Sequence, residues 1–332
     1  MRILVTGGAG YVGSVSVEAL VASGHDVVVL DDLSTGHDWA YLAGARLVVG
    51  SYGDAERVAG ILREDRIEAV LHCAARSLVG ESMAEPARYY RDNVGGGIVL
   101  LEAMREANVD RLVISSTAAV YGSPETIPIG EDAPLRPVNP YGETKRTLET
   151  AAAWYGAAYG LRSVSLRYFN VAGASGRNGE AHRPETHLIP NVLAAADRDD
   201  PPVTLFGDDY PTPDGTPIRD YLHVEDLAEA HLAALEATGR GVAEVADRAL
   251  ACNLGSGRGF SVREVLSAAE RVVGHPIPQA MGPRRAGDPP VLVAAIDRAR
   301  NLLGWTPRRS TLDQMVGSAW QWRLSHREAI GR

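Results

Sequence analysis

The sequence predicts an α/β protein, a doubly wound parallel sheet that carries a smaller mixed α/β lobe. Three observations point there. Short apolar, β-branched runs recur through the first half with little polar alternation, as strands buried on both faces do. Longer stretches of helical periodicity separate them, and such alternation implies parallel strands joined by right-handed crossovers. The first run also passes directly into a glycine-rich turn that opens a helix.

The run RILVTG (2–7) is the first strand and residues 12–23 the first helix. Between them, TGGAGYVG sets Gly7, Gly10 and Gly13 at a G-x-x-G-x-x-G spacing. A tight turn there needs positive φ, and the N–H groups at the helix start can face a pyrophosphate. The second strand, DVVVLDD (26–32), brings Asp31 to its end, about 20 residues beyond the loop. Its carboxylate suits the hydroxyls of an adenosine ribose and repels a 2′-phosphate. Loop and acid together therefore predict NAD rather than NADP, in a Rossmann-type half. Further strands are read at RLVVG (46–50), AVLHCAA (69–75), RLVISST (111–117) and SVSLRYF (163–169), with helices over 55–64, 87–107 and 140–160.

The last of these helices opens with VNPYGETKRTLE (138–149). Asn139 is a good N-cap, and Pro140 suits the first helical position because it has no N–H to lose. Tyr141 and Lys145 then leave one face, a turn apart. A phenol beside an ammonium is either a packing coincidence or an acid–base pair, and the spacing alone does not decide.

Beyond residue 170 the alternation breaks. Residues 171–217 are rich in Gly, Pro, Asp and His. The segment 218–257, with a helix near 225–237 and a strand at ACNLGS (251–256), is expected to return to the main sheet, and the tail from 258 is helical and mixed. This divides the chain into a dinucleotide-binding half, 1–170 with 218–257, and a smaller lobe, 171–217 with 258–332. NLGSGRGFS (253–261) looks like a second glycine loop. Ser261 and Glu264 fit a capping box, however, so this segment is expected to end a strand and start a helix.

The 332 residues carry 33 Lys and Arg against 42 Asp and Glu, a net charge of −9. Such a chain is unsuited to non-specific nucleic-acid binding, and an anionic ligand would need local arginines. Cys73 and Cys252 each lie in an apolar run and read as two buried thiols. No apolar run approaches a membrane span. MRILVTGGAGYVG turns glycine-rich too early for a signal peptide, so a cytoplasmic location is expected. His182, His187, His223 and His231 show no recognised metal-ligand spacing, and no metal is expected.

The glycine loop, Asp31, ISSTAAVYG (114–122) and PYGETK (140–145) in one chain resemble the extended short-chain dehydrogenase/reductase family. Within it the chain is similar, over nearly all its length, to the branch that inverts UDP-hexoses at C4. DLSTG (32–36), VGES (79–82), YYRDNV (89–94), RYFNVAGA (167–174), ETHLIP (185–190), LFGDDYPTPDGTPIRDYLHVEDLA (205–228) and RRAGDP (284–289) carry that likeness. The resemblance implies retained NAD, UDP-glucose and UDP-galactose as substrates, and a homodimer. Tyr141 is then the base that takes the C4 hydroxyl proton. Free tyrosine has a pKa near 10; a neighbouring Lys145 and the positive nicotinamide ring would favour the phenolate, and Lys145 would also hold the nicotinamide ribose. Thr117 supplies a hydroxyl to the 4-oxygen. Hydride passes from C4 to NAD and back to the other face of a 4-keto sugar that has turned over.

The same resemblance implies cofactor contacts at Tyr11 and Val12 in the glycine turn, and at Asp32, Leu33, Ser34, Thr35 and Gly36 after the second strand. It adds Ser51 and Tyr52 after the third, Cys73, Ala74 and Ala75 after the fourth, and Asn93, Ser115 and Tyr168. On the substrate side it implies Asn170, His187 and Leu188, then Thr204, Leu205 and Phe206, with Leu188 and Phe206 at the uracil. Arg219 and Arg285 would hold the diphosphate and Asp288 the nucleotide ribose. Leu292 falls near the position that sets room at the sugar C2. Val15, Ser16, Ser51 and Ser77 depart from residues common in the family. Other readings are a 4-epimerase of UDP-GlcNAc, UDP-xylose or UDP-glucuronate, and a non-catalytic NAD-binding regulator. A 4,6-dehydratase would need an acid and a base where Ala118 and Ala119 stand.

Overall fold

Alternate residues of the first strand, β1 (Arg2–Thr6), enter two different cores in the computed structural model, which describes residues 1–197, 201–240, 249–285 and 288–331. Ile3 and Val5 face one side and Leu4 the other, all fully buried. This two-sided burial is why the strands read as apolar runs without alternation. With β2 (Asp26–Asp31), β3 (Arg46–Val49), β4 (Ala69–His72), β5 (Arg111–Thr117) and β6 (Arg162–Tyr168), β1 builds a wholly parallel sheet. Next come β7 (Asn170–Ala172), β8 (Val203–Phe206), β9 (Ile218–His223) and β10 (Ala249–Leu254). β10 completes the seven-stranded order β10-β6-β5-β4-β1-β2-β3. The winding reverses between β1 and β4, where such sheets open a crevice for ligands at the strands' C-terminal ends.

Helix α1 (Tyr11–Ala22) covers one face. On the other lie α2 (Ala55–Glu64) and the elements after β4. A single helix over 87–107 was expected there. The structure breaks it into α3 (Val79–Ala84), α4 (Pro86–Tyr89), a π-helical turn (Tyr90–Gly95) and α5 (Gly96–Glu106). The π turn carries Asn93, whose amide clamps the loop after β4, and the glycines that follow let α5 pack closely. A Cβ on Gly96 would meet the Tyr52 ring at 2.7 Å, and one on Gly97 would meet Leu148 at 2.7 Å. Helix α6 (Pro140–Tyr159) starts as expected, with Asn139 Oδ1 accepting from Gly142 N at 2.8 Å, and stops at Gly160 in the left-handed region.

The smaller lobe departs from expectation at one place. Ile218–His223 does not return to the main sheet. β9 is instead the centre of a second sheet, flanked by β11 (Gly259–Ser261) and β13 (Val291–Leu292) and also paired with β7. Its Tyr221 joins a separate core with residues of α7 (Leu188–Ala196), α9 (Val262–Val273) and α11 (Leu312–Ser325). The chain returns to the main sheet with α8 (Val224–Arg240), packed on α1, and with β10. β12 (Gln279–Gly282) pairs with β8, and α10 (Asp297–Leu303) and α12 (Arg327–Gly331) complete the tail. The second glycine cluster does end a strand and start α9. Ser261 accepts from Glu264 N at 3.1 Å while Glu264 accepts from Ser261 N at 2.8 Å. No described helix is long and apolar enough to cross a membrane.

Candidate active site

The three glycines of the first loop differ in what demands them. Gly7 has φ +71°, and a Cβ there would meet Ala74 N at 2.5 Å. A Cβ on Gly13 would meet Gly7 O at 2.0 Å, so Gly13 lets α1 close on the strand. At Gly10 a Cβ would touch only Gly7 O, at 3.4 Å. The protein itself hardly needs glycine there, and the space it leaves lies over the N-terminus of α1. That terminus has no side-chain cap and no acidic residue in its first turn, which suits a pyrophosphate. Asp31 closes the far side, 7 % exposed, its two oxygens accepting from Ala9 N and Leu33 N at 2.9 Å each. Burial raises its carboxyl above the ordinary value, against the pull of those N–H groups. Gly36 stands against it, where a Cβ would lie 2.7 Å from Asp31 Oδ1. The donor set and the free space fit NAD.

Several side chains expected at the cofactor make contacts within the protein. The Tyr11 phenol donates to Gly173 O at 2.7 Å, and Val12 packs into the core. The Tyr52 phenol donates to Asp92 O at 2.6 Å, and its ring stands edge-on to His72. Asn93 Oδ1 accepts from Arg76 N at 2.9 Å, and its amide donates to Arg76 O and Thr144 Oγ1. These four shape the site through the backbone they hold. Ser51 caps its own turn toward Gly53 N, and Ser77 is exposed. Ser16 donates to Val12 O and meets His231 Nδ1 at 2.9 Å, tying α1 to α8.

At the C-terminal end of β5 the opening ambiguity resolves. Thr117 hydrogen-bonds the Tyr141 phenol, while its own Oγ1 accepts from Ala119 N at 3.1 Å. Lys145 is 3 % exposed and donates from Nζ to Ser115 O at 2.8 Å. Burial lowers its ammonium to about 8, opposed by Cys73 and Glu149. Burial also raises Tyr141, and the Thr117 hydrogen bond pulls the other way. The Lys145 ammonium, engaged by Ser115 O, keeps further donors for a bound cofactor. Behind the pair, Ser115 Oγ donates to Cys73 Sγ at 3.3 Å and meets His231 Nε2 at 3.4 Å, and Tyr168 hydrogen-bonds Ser115. Both cysteines are free. Cys252 is buried as expected, whereas Cys73 is half-buried, its thiol pushed up to about 11 by burial.

The smaller lobe gathers the expected substrate residues with some exceptions. Arg219, in β9, donates to Ile218 O at 2.7 Å and pairs with Asp288. Arg285 lies over the Phe206 ring at 4.2 Å. Asn170 is exposed at the start of β7. Along β8, Thr204 and Phe206 face outward while Leu205 is 1 % exposed, its side chain in the lobe's core. Leu205 is thus a packing residue, as the two-residue period of a strand requires. Leu188 packs against the same core. Leu292 pairs in register with Arg219 and packs in a cluster with Ala118. Of the RRAGDP motif, residues 286–287 lie outside the described residues.

Two groupings escaped the sequence reading. Glu149, one turn beyond Lys145 on α6, forms a buried ion pair with Arg167 of β6; the repeat of polar residues at 141, 145 and 149 was its signal. Glu180, His182, Glu185 and His187 also converge in the loop before α7. His187, expected at the substrate, holds Glu185 Oε1 at 2.7 Å from Nδ1.

A dinucleotide cradle at the switch point of a parallel sheet, with a half-buried tyrosine set against a buried threonine and lysine, defines a nicotinamide-dependent short-chain enzyme. Residues 3–246 match the NAD dependent epimerase/dehydratase family, and the chain belongs to it. The UDP-glucose 4-epimerase of Lactobacillus helveticus is 50 % identical over 98 % of both chains. The crystal structure of UDP-glucose 4-epimerase from Brucella ovis in complex with NAD superposes with a TM-score of 0.92, at 45 % identity over 96 % of this chain and 97 % of that one. That of the Stenotrophomonas maltophila enzyme, with bound NAD and formylated UDP-arabinopyranose, gives 0.94 at 39 % identity over 99 % of both.

Proposed function

We infer that the chain interconverts UDP-glucose and UDP-galactose by oxidising and re-reducing the sugar at C4 with retained NAD, as a cytoplasmic homodimer. The observation that carries this is the convergence of Tyr141, Thr117 and Lys145 beside the open Gly10 cradle. In this reading the expected division, 1–170 with 218–257 for NAD and 171–217 with 258–332 for the UDP-sugar, shifts at one place: β9, with Arg219, joins the sugar side. Bound NAD supplies the acceptor and donor of hydride at C4. Tyr141 Oη takes the proton of the C4 hydroxyl and gives it back, and Thr117 holds the 4-oxygen in line. Lys145 spends one of its three donors on Ser115 O, which leaves two for the nicotinamide ribose. Arg219, fixed by Asp288, and Arg285, stacked on Phe206, offer planar guanidinium groups to the diphosphate. Ala118 and Ala119 offer no acid or base for a dehydration.

The test is to incubate the purified protein with UDP-galactose and separate the products. UDP-glucose should form with no cofactor added or after loading with NAD, and not after loading with NADP. No conversion with NAD would count against the reaction; equal turnover with NADP would count against the role of Asp31.

The dimer is supported by exposed aromatics on α6, where Trp154 is 71 % and Tyr159 61 % exposed. Exposed large aromatics are common at contact surfaces, and two-fold dimers are the commonest assemblies. Sedimentation at micromolar concentration should give twice the chain mass; a monomer mass would refute the pairing.

A further inference from the structure

We propose that the loop between β7 and α7 binds one divalent transition-metal ion, zinc by its chemistry, through Glu180, His182, Glu185 and His187. Of the four, only His187 is also an expected substrate contact, and the metal binding tested below is read without turnover. Each of the four residues offers one donor atom, and these atoms all lie within 4.8 Å of one another. Donors bound to one zinc at about 2.1 Å stand at most about 4.2 Å apart. His187 Nδ1 and Glu180 Oε2 are already 3.9 Å apart, so the set needs only a small side-chain adjustment to close.

The donor chemistry selects the ion. Two imidazole nitrogens and two carboxylate oxygens make a four-coordinate N2O2 set, which zinc accepts. Calcium and magnesium prefer six or more oxygens and gain little from imidazole. The second observation is a buried pair aimed into the cluster. The Glu180 side chain is only 9 % exposed and faces His182 Nδ1 as an ion pair. Apart from each other, Glu180 Oε1 and His182 Nδ1 have no hydrogen-bond partner, so a bound ion would displace no other contact of theirs.

The place in the fold says what the ion would do. The cluster sits beside Gly173, whose carbonyl holds the Tyr11 phenol of α1, and Glu180 and Glu185 are near enough to push that phenol further up beyond the effect of burial. His37, after the Asp31 turn, meets Ala181 O at 3.2 Å from Nε2. His187 runs straight into Leu188 and α7. One ion would fasten the small lobe's first loop where it rests on the dinucleotide half, as a structural staple with no open catalytic position.

The experiment uses the full chain, stripped with a chelator and then titrated with Zn2+, with metal content read by mass spectrometry. Wild type should take up one Zn2+ per chain at micromolar concentration and melt at a higher temperature with it. Co2+ in the same site should show the visible bands of a four-coordinate ion. Losing an outer partner of a metal site already costs about tenfold to a hundredfold in affinity, so His182→Ala and Glu180→Gln should each lose more than about a hundredfold. Stripped wild type that binds no stoichiometric Zn2+ would overturn the proposal, whatever the variants do. So would His182→Ala binding Zn2+ as tightly as wild type, or wild type binding Ca2+ or Mg2+ as tightly as Zn2+.

Discussion

Tyr141→Phe is expected to lower turnover at least about a hundredfold, the lower end of what a positioned base contributes. That is about 2.7 kcal/mol of barrier. The change removes a single oxygen. The ring stays on α6, whose start is fixed by Asn139 and Pro140 and does not involve the phenol. Thr117 loses one partner but keeps the N–H of Ala119. The cradle at Gly10 and Asp31 is untouched, so NAD binding should persist. Burial drives the phenol toward its neutral form, and the Thr117 hydrogen bond opposes it. The positive charges of Lys145 and of the oxidised cofactor are expected to favour the phenolate. Single-turnover conversion of UDP-galactose, with NAD content measured on the same sample, checks this. Near wild-type turnover would remove Tyr141 from the mechanism.

Arg167→Met is expected to destabilise the fold by about 3–5 kcal/mol, the usual cost of stranding one partner of a buried pair. The two side chains are 6 % and 8 % exposed. Arg167 Nε reaches both Glu149 oxygens at 3.1 Å, Nη2 donates to Oε2 at 2.6 Å, and Nη1 donates to the Tyr121 hydroxyl at 3.0 Å. Burial works against the arginine's charge, yet Glu149 outweighs it and holds the guanidinium above its ordinary range. In the variant Glu149 would keep only the Ser116 hydroxyl as a donor. Adding Glu149→Gln to Arg167→Met should recover part of the loss, because the stranded charge is gone. Urea unfolding at equal NAD saturation measures both. A loss below about 1 kcal/mol for Arg167→Met would mean the pair is no better than a surface one.

The main sheet was legible because burial on two faces leaves an unmistakable apolar run, and the glycine loop because Gly7 and Gly13 are each forced by an atom less than 3 Å away. Tyr141 and Lys145 were legible because a helix converts a four-residue spacing into one face. The π turn at Tyr90–Gly95 was not, since it arises from where Asn93 finds partners on Arg76 and Thr144, and no local pattern encodes that. Arg167 lay in a recognised motif with no role assigned, because its partner is 18 residues away on another element. β9 was misplaced for the same reason: its neighbours β7, β11 and β13 are remote in sequence, and the six residues IRDYLH do not announce which sheet they join. Leu205 is different. Its inward side could have been read from the alternation of Val203–Phe206 alone.

The second sheet also fixes an order of events at the ribosome. Its central strand must wait for partners at both Gly259–Ser261 and Val291–Leu292. Strands β1 to β6 need nothing beyond residue 168 to pair with one another. During synthesis, domains form as their last strand emerges, and distant pairings come late. The nascent chain therefore holds most of its nucleotide-binding sheet well before it can shape a surface for the sugar. Through that interval β9 and β7 travel with unpaired edges, the stretch of its life in which this chain is most exposed to pairing with another.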